Sequence, residues 1–259
     1  MDCTQIYLDR FEEIKLLSRL AESDSRLGGD VIKANAITRS GLVLLCGYFE
    51  GFVREMCKEF VETINDSSIA AKDLPLITLS EHSVYCLEKF KKKNVNKFDE
   101  LINGLASGKS VSLDSEKLSA TNANPTVDTI ERIFEAFDMP NILDVITMED
   151  YSFSSMYNYD SQLTEKIKST VKVAVGEDSS KELSILEEIE RKWAPKKKRR
   201  RVGYLNEIDE LLKKRNRIAH GEGFEVVTYN ELYNTTNIII RLCNSLVAKL
   251  EAKISELTT

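Results

Sequence analysis

The stretch Arg215-Asn216-Arg217-Ile218-Ala219-His220, closed by Gly221, sets guanidinium groups and an imidazole within six residues. An imidazole gives or takes a proton near neutral pH, and a guanidinium stays charged, so the pair has the equipment to move a proton beside a phosphate. The elements that must position them can be read around the motif. A helix is expected from about Tyr204 to Ala219, because Leu205, Ile208, Leu211, Leu212, Ile218 and Ala219 recur at three- and four-residue spacing and form one apolar stripe. Arg215 falls in the middle of that stripe, where it needs a carboxylate, a phosphate or a partner chain. His220 lies one turn beyond Asn216, where Gly221 should end the helix. A purely structural account stays open at this point: Arg215 as an ion-pair partner and His220 as a cap, since cations sit well at helix C-termini.

Upstream, Tyr7, Phe11, Ile14, Leu17 and Leu20 mark a first amphipathic helix that ends at a Gly28-Gly29 turn. Asp30 reads as the N-cap of a long second helix carrying Ile37, Leu42, Leu45, Phe49, Phe52, Val53, Met56 and Phe60. Glu50 lies on the flank of that face, beside Val43, Cys46, Cys57 and Val61, and is expected to be the carboxylate that positions Arg215. Helical patterns follow at roughly 80–92, 96–106 and 126–137, with the polar stretch Ser107 to Asn124 reading as a loop. Residues 148–160 carry Tyr151, Phe153, Tyr157 and Tyr159 with too few interleaved cations for a base-stacking platform, so they are expected to pack an insert. A last helix is expected from about Tyr229 to Leu257. With no repeat and no sustained heptad, the pattern predicts an all-α bundle with a partly irregular central insert.

The Arg-x4-His spacing, with Asn after the Arg and an Ala-His-Gly ending, resembles the signature of the HEPN superfamily of helical ribonucleases and nucleotide-binding proteins. Ala123 to Phe134 resembles the Asn-Pro-x4-Ile-Glu-x2-Phe segment of the RiboL-PSP-type group within it, carried here by Asn124, Pro125, Ile130, Glu131 and Phe134. Tyr48-Phe49-Glu50-Gly51-Phe52-Val53 resembles that group's early helix with an acidic residue between aromatics. The three matches keep the group's order and span most of the chain. The resemblance implies a single elaborated HEPN-like domain over 1–259, with a less regular insert at about 107–180. It also implies a metal-independent endoribonuclease whose active site forms across a homodimer of motif helices. On that carry-over His220 is the acid or base, Arg215 holds the scissile phosphate, and Asn216 orients the site. The class acts as toxins or antiviral defence effectors, so RNA, a second copy and an antitoxin or defence-system protein are the implied partners. Relatives that keep the motif yet only bind a nucleotide or a protein give the alternative, a non-catalytic HEPN-type module.

Metal-free cleavage, in which the 2′-hydroxyl attacks its own phosphate, needs a base, an acid and a cation, and imidazole suits both proton roles. The chain offers one credible catalytic His, so a second would come from a symmetric partner. Arg217 is expected to face solvent or phosphate. The largest charge block, Lys196, Lys197, Lys198, Arg199, Arg200 and Arg201, resembles a nuclear-import signal, though nothing else points to a nucleus. A solvated loop and an RNA contact are both open for it, and its place just before the motif helix makes it the leading candidate for drawing in RNA. Gly104 to Ser110 is not a P-loop, having three residues between its glycines and a helix before it. His82 has no constellation around it and is expected at the surface. Neither Gly-x-Ser-x-Gly nor His-Glu-x-x-His occurs, which removes the commonest hydrolase and zinc-protease classes.

Composition sets the outer bounds. At 259 residues and 42% hydrophobic content the chain can bury a real core, and 11 Gly with 4 Pro favour long helices. The absence of an 18-residue apolar run and of a signal-like start leads to the expectation of a soluble cytoplasmic protein that uses no membrane. Five cysteines without C-x-x-C spacing read as reduced thiols, so neither metal nor cofactor is expected. A net charge of −6 is not that of a protein that coats nucleic acid, so any RNA contact has to be local.

Overall fold

The computed structural model describes residues 1, 3–26, 29–92, 95–121, 124–158, 161–176, 181–187, 198–221 and 225–258. In chain order the helices are α1 (Cys3–Ser25), α2 (Val31–Asp66), a 3-10 turn at Ala71–Asp73, α3 (Leu76–Lys91), α4 (Asn96–Ser107), α5 (Ser115–Leu118), α6 (Val127–Ala136), α7 (Ile142–Tyr151), α8 (Ser161–Val175), α9 (described over 181–187), α10 (Tyr204–His220) and α11 (Tyr229–Thr258). The fold is all-α, and extended pairing is confined to the two-residue strands β1 (Tyr157–Asn158) and β2 (Lys198–Arg199).

The chain divides into two compact units, Met1–Thr147 with Gly203–Thr259, and Met148–Val202. The first is built on α2, which packs against α1, α10 and α11. Asp30 caps α2 as its sequence position suggested, its carboxylate accepting the Lys33 amide at 3.0 Å. Tyr7 and Phe11 of α1 meet Phe52 of α2 at ring separations of 5.6 and 6.4 Å. Two glycines let the helices close: a Cβ at Gly51 would come within 2.5 Å of the Tyr7 hydroxyl, and one at Gly41 within 2.7 Å of Leu232. Among the described residues α2 is the one helix long and apolar enough to cross a membrane, with a mean hydropathy of 1.2. Its buried run from Leu42 to Ile64 is spent on the core instead.

The expected helices are present, with shifted ends. α3 begins at Leu76, directly after Pro75, and the polar stretch 107–124 contains the single turn α5, capped by Asp114 accepting the Lys117 amide. Gly28 and Ala123 lie outside the described residues.

His82 corrects the expectation of a surface residue. It is 2% exposed, its Nδ1 accepts the Asp114 amide at 3.4 Å, and its Nε2 lies 3.3 Å from Cys86 Sγ. The amide that donates to its Nδ1 is 32 residues further along the chain, so no local spacing announces it. Burial lowers the His82 pKa, against the pull of the Asp114 carboxylate. The five cysteines are free thiols, four of them buried. Burial drives the Cys57 and Cys243 thiols well above the ordinary thiol range.

The second unit holds the end of α7, the strand pair and helices α8 and α9. Tyr157 pairs with Arg199 and Asn158 with Lys198, and the Arg200 amide continues the ladder to the Met156 carbonyl at 2.8 Å. Tyr151 and Phe153 stack with ring centroids 6.1 Å apart. Tyr159, Lys196 and Lys197 lie outside the described residues, as does the side chain of Lys198.

Candidate functional site

α10 keeps its apolar stripe in the core only as far as Leu212. Tyr204, Leu205, Ile208, Leu211 and Leu212 are buried, whereas Ile218 is half-buried and Ala219 is exposed, contrary to the expected continuation of the stripe. Leu211 still faces α2, its carbonyl 4.0 Å from Cys46 Sγ. Two turns further on, Ile218 lines a shallow depression of about 540 Å³ with Ala36, Arg39, Ser40, Val43 and Leu44, an outer stretch of α2 that the described residues leave partly uncovered. The helix ends as its Gly predicts: Gly221 is left-handed at φ 67°, and its amide returns to the carbonyls of Arg217 and Ile218. His220 is therefore the last residue of α10, exposed to solvent, and among the described residues its ring makes no hydrogen bond.

Arg215 is half-buried at the edge of the stripe rather than at its buried centre. Its guanidinium donates to two neutral amide oxygens, Nη2 to Asn124 Oδ1 and Nη1 to Asn216 Oδ1 at 2.9 Å. It also lies close enough to Cys46 to oppose the burial that pushes that thiol up to about 12. Glu50, expected to hold Arg215, does not: its carboxylate accepts the Thr121 hydroxyl at 3.2 Å, and among the described residues no ion pair joins it to Arg215. Tyr48, on the same turn, faces outward and donates to Glu13 at 3.0 Å, while Phe49, Phe52 and Val53 enter the core.

The cations along α10 differ in how they are balanced. Lys213 pairs with Glu210 at 2.8 Å, Lys214 with Glu231, and Arg217 with Glu225 at 3.4 Å. Arg215 alone of these four has no carboxylate partner among the described residues. A guanidinium held by uncharged acceptors keeps its full positive charge available to an anion, and its planar fork suits phosphate. Arg217, exposed and paired, is less available.

The three segments singled out in the sequence thus share one neighbourhood. Asn124 comes from the turn before α6, whose first turn is fixed by Thr126 accepting the Thr129 amide at 3.1 Å, and whose Ile130, Ile133 and Phe134 are buried. Thr121, three residues earlier, holds Glu50, and the Arg132 guanidinium ties down the Ala120 carbonyl at 2.8 Å. The hydrogen-bonding role of Asn124 toward Arg215 was not visible in its Asn-Pro context, because it depends on a contact across 91 residues. Of the basic run, Lys198 and Arg199 form β2, Arg199 and Arg200 are half-buried and Arg201 is exposed. Among the described residues no cluster of His, Cys, Asp and Glu is arranged to hold a metal.

A family model described as RiboL-PSP-HEPN matches residues 5–252. No curated protein and no solved structure matches the chain.

Proposed function

Since the chain belongs to the RiboL-PSP-HEPN family over nearly its whole length, we propose that it is an endoribonuclease that cleaves RNA by attack of the 2′-hydroxyl, working in the cytoplasm as a homodimer. The observation that carries this reading is the state of Arg215: a cation fixed by neutral amides, five residues before a solvent-facing imidazole that makes no hydrogen bond among the described residues. In the proposed reaction a base takes the 2′-hydroxyl proton and the 2′-oxygen bonds to phosphorus. The bond from phosphorus to the 5′-oxygen breaks, and an acid protonates the leaving oxygen. Arg215 balances the charge that grows on the phosphate oxygens, and Asn216 steadies its guanidinium.

One imidazole per chain fills one proton role, so a second His220 from a two-fold related copy fills the other. The uncovered apolar residues Val43, Leu44 and Ile218 beside the motif supply a face for that second copy. Glu50 is given the role of fixing the Thr121 segment and, through it, Asn124. By analogy with its class, the enzyme serves as a toxin or antiviral effector held in check by a partner protein. The second reading, a non-catalytic module binding a nucleotide or a protein, is favoured by the acidic net charge of −6.

Incubating wild-type and His220→Ala protein with total RNA in EDTA separates the two. The expected outcome is cutting that leaves 2′,3′-cyclic phosphate ends and falls at least roughly 100-fold in the variant. Equal cutting by both proteins would remove His220 from the chemistry, and no cutting by either would favour the binding module.

A further inference from the structure

Outside the motif, positive charge concentrates at the tip where α3 gives way to α4. Residues 89–97 contain Lys89, Lys91, Lys92, Lys93 and Lys97 and no acidic residue, in a chain whose net charge is −6. Lys91 and Lys92 are exposed and Lys89 and Lys97 half-buried. None of these four has an ion-pair partner among the described residues, although cations elsewhere, such as Lys15, Lys58, Lys213 and Lys253, do. Glu88 lies before the run, and Asp99 and Glu100 follow it, without pairing to these lysines.

Aromatic rings are interleaved with that charge. Phe90 is 46% exposed and rests 5.1 Å from the ring of Phe98, while Lys89 lies over the Tyr85 ring at 5.2 Å. A phenylalanine left about half exposed in a run of lysines is costly to hydrate and is suited to cover a flat partner. Ammonium groups without carboxylate partners beside a partly exposed ring are what a single-stranded polynucleotide requires, with phosphates on the lysines and a base against Phe90.

A lipid surface is the competing partner, because Leu87 and Val95 are 44% and 42% exposed at the same tip. The paired Phe90 and Phe98 rings, which suit stacking on bases, favour a polynucleotide, and phosphatidylserine vesicles form the opposing arm of the test.

We infer that the α3–α4 tip, formed by Lys89, Lys91, Lys92 and Lys97 around the Phe90 and Phe98 rings, is a binding site for single-stranded RNA. It lies in the same compact unit as Arg215 and His220, with α3 packed on α6 and α6 on α10. The inference rests on the ribonuclease reading for the choice of RNA as the polyanion, but its test needs no cleavage.

Full-length protein carrying His220→Ala would be titrated into a fluorescein-labelled, unstructured 12-nucleotide RNA at several salt concentrations. Lys91→Glu with Lys92→Glu is expected to weaken binding more than tenfold and to lower the slope of log affinity against log salt by about 1.4, two single-strand phosphate contacts. Phe90→Leu, which keeps the packing on Phe98 but removes the ring face, is expected to weaken it roughly 5- to 100-fold. Melting curves would confirm that both variants fold. Binding within twofold of the parent in the lysine variant overturns the site, and so does RNA binding that persists while sedimentation with phosphatidylserine vesicles is lost. If wild type cuts RNA but the tip variants bind normally, the tip is wrong and the nuclease stands. Tip-dependent binding without any cutting keeps the tip and removes the nuclease.

Discussion

Arg215 is distinguished from its neighbours on α10 by what balances it. Lys213, Lys214 and Arg217 each have a carboxylate, and Arg215 has two amide oxygens. Placing a carboxylate where Asn124 now stands should therefore silence the site without removing any proposed catalytic group. Asn124→Asp keeps the shape of the side chain but pairs the guanidinium, and kcat/KM for RNA cleavage is expected to fall about 10- to 100-fold, the scale of a charge-assisted hydrogen bond. Asn124→Ala should lose less, because the cation stays free though less well aimed. If the Asp variant cuts as fast as wild type, Asn124 has no positioning role. The type and position of Arg215 were legible in the sequence. Its balance was not, since the natural guess paired it with the acidic residue on the nearest motif helix, Glu50, and that carboxylate is occupied by Thr121.

At the scale of elements, helices were legible wherever a cap or a breaker stood beside an apolar stripe: Asp30 before α2 and Gly221 after α10. What escaped was anything set by packing between elements. His82 looked solitary in sequence, yet it joins α3 to the start of α5 through the Asp114 amide. Because Nδ1 accepts that amide, a second proton on the ring would face an N–H, and burial already disfavours the charged form. With the folded pKa lowered below 6.5, the unfolded chain binds more protons, so His82 contributes its full stability above pH 6.5 and loses it as the pH falls below that value. Thermal melts between pH 7 and pH 5 should show this decline, and His82→Gln should flatten it. An unchanged pH slope in the variant would assign the loss to other groups, with Asp114, Glu100 and Lys97 nearest to hand. The basic tip between α3 and α4 is a shorter run than 196–201, and what sets it apart is the packing of Phe90 on Phe98 across two helices, which sequence spacing does not show.

For the whole molecule, the stripe of α10 that leaves the core at Leu212 and the bare outer face of α2 meet at the same depression. If a second copy covers them, Leu44→Glu should yield a monomer in sedimentation velocity, with RNA cleavage reduced at least tenfold and the melting temperature of each protomer nearly unchanged, since Leu44 is already solvent-facing. A dimer that persists in the variant would place the partner elsewhere. The neighbourhood of Arg215 also has an order in time. Cys46 and Glu50 are made first, Thr121 and Asn124 some seventy residues later, and Arg215 some ninety residues after those. A ribosome completes α1 to α6 before the cation and the imidazole exist, so a product interrupted before residue 215 lacks both groups, together with α11, which packs on α1 and α2. On the proposed ribonuclease reading, synthesis from this end withholds the activity until the last sixth of the chain is being made.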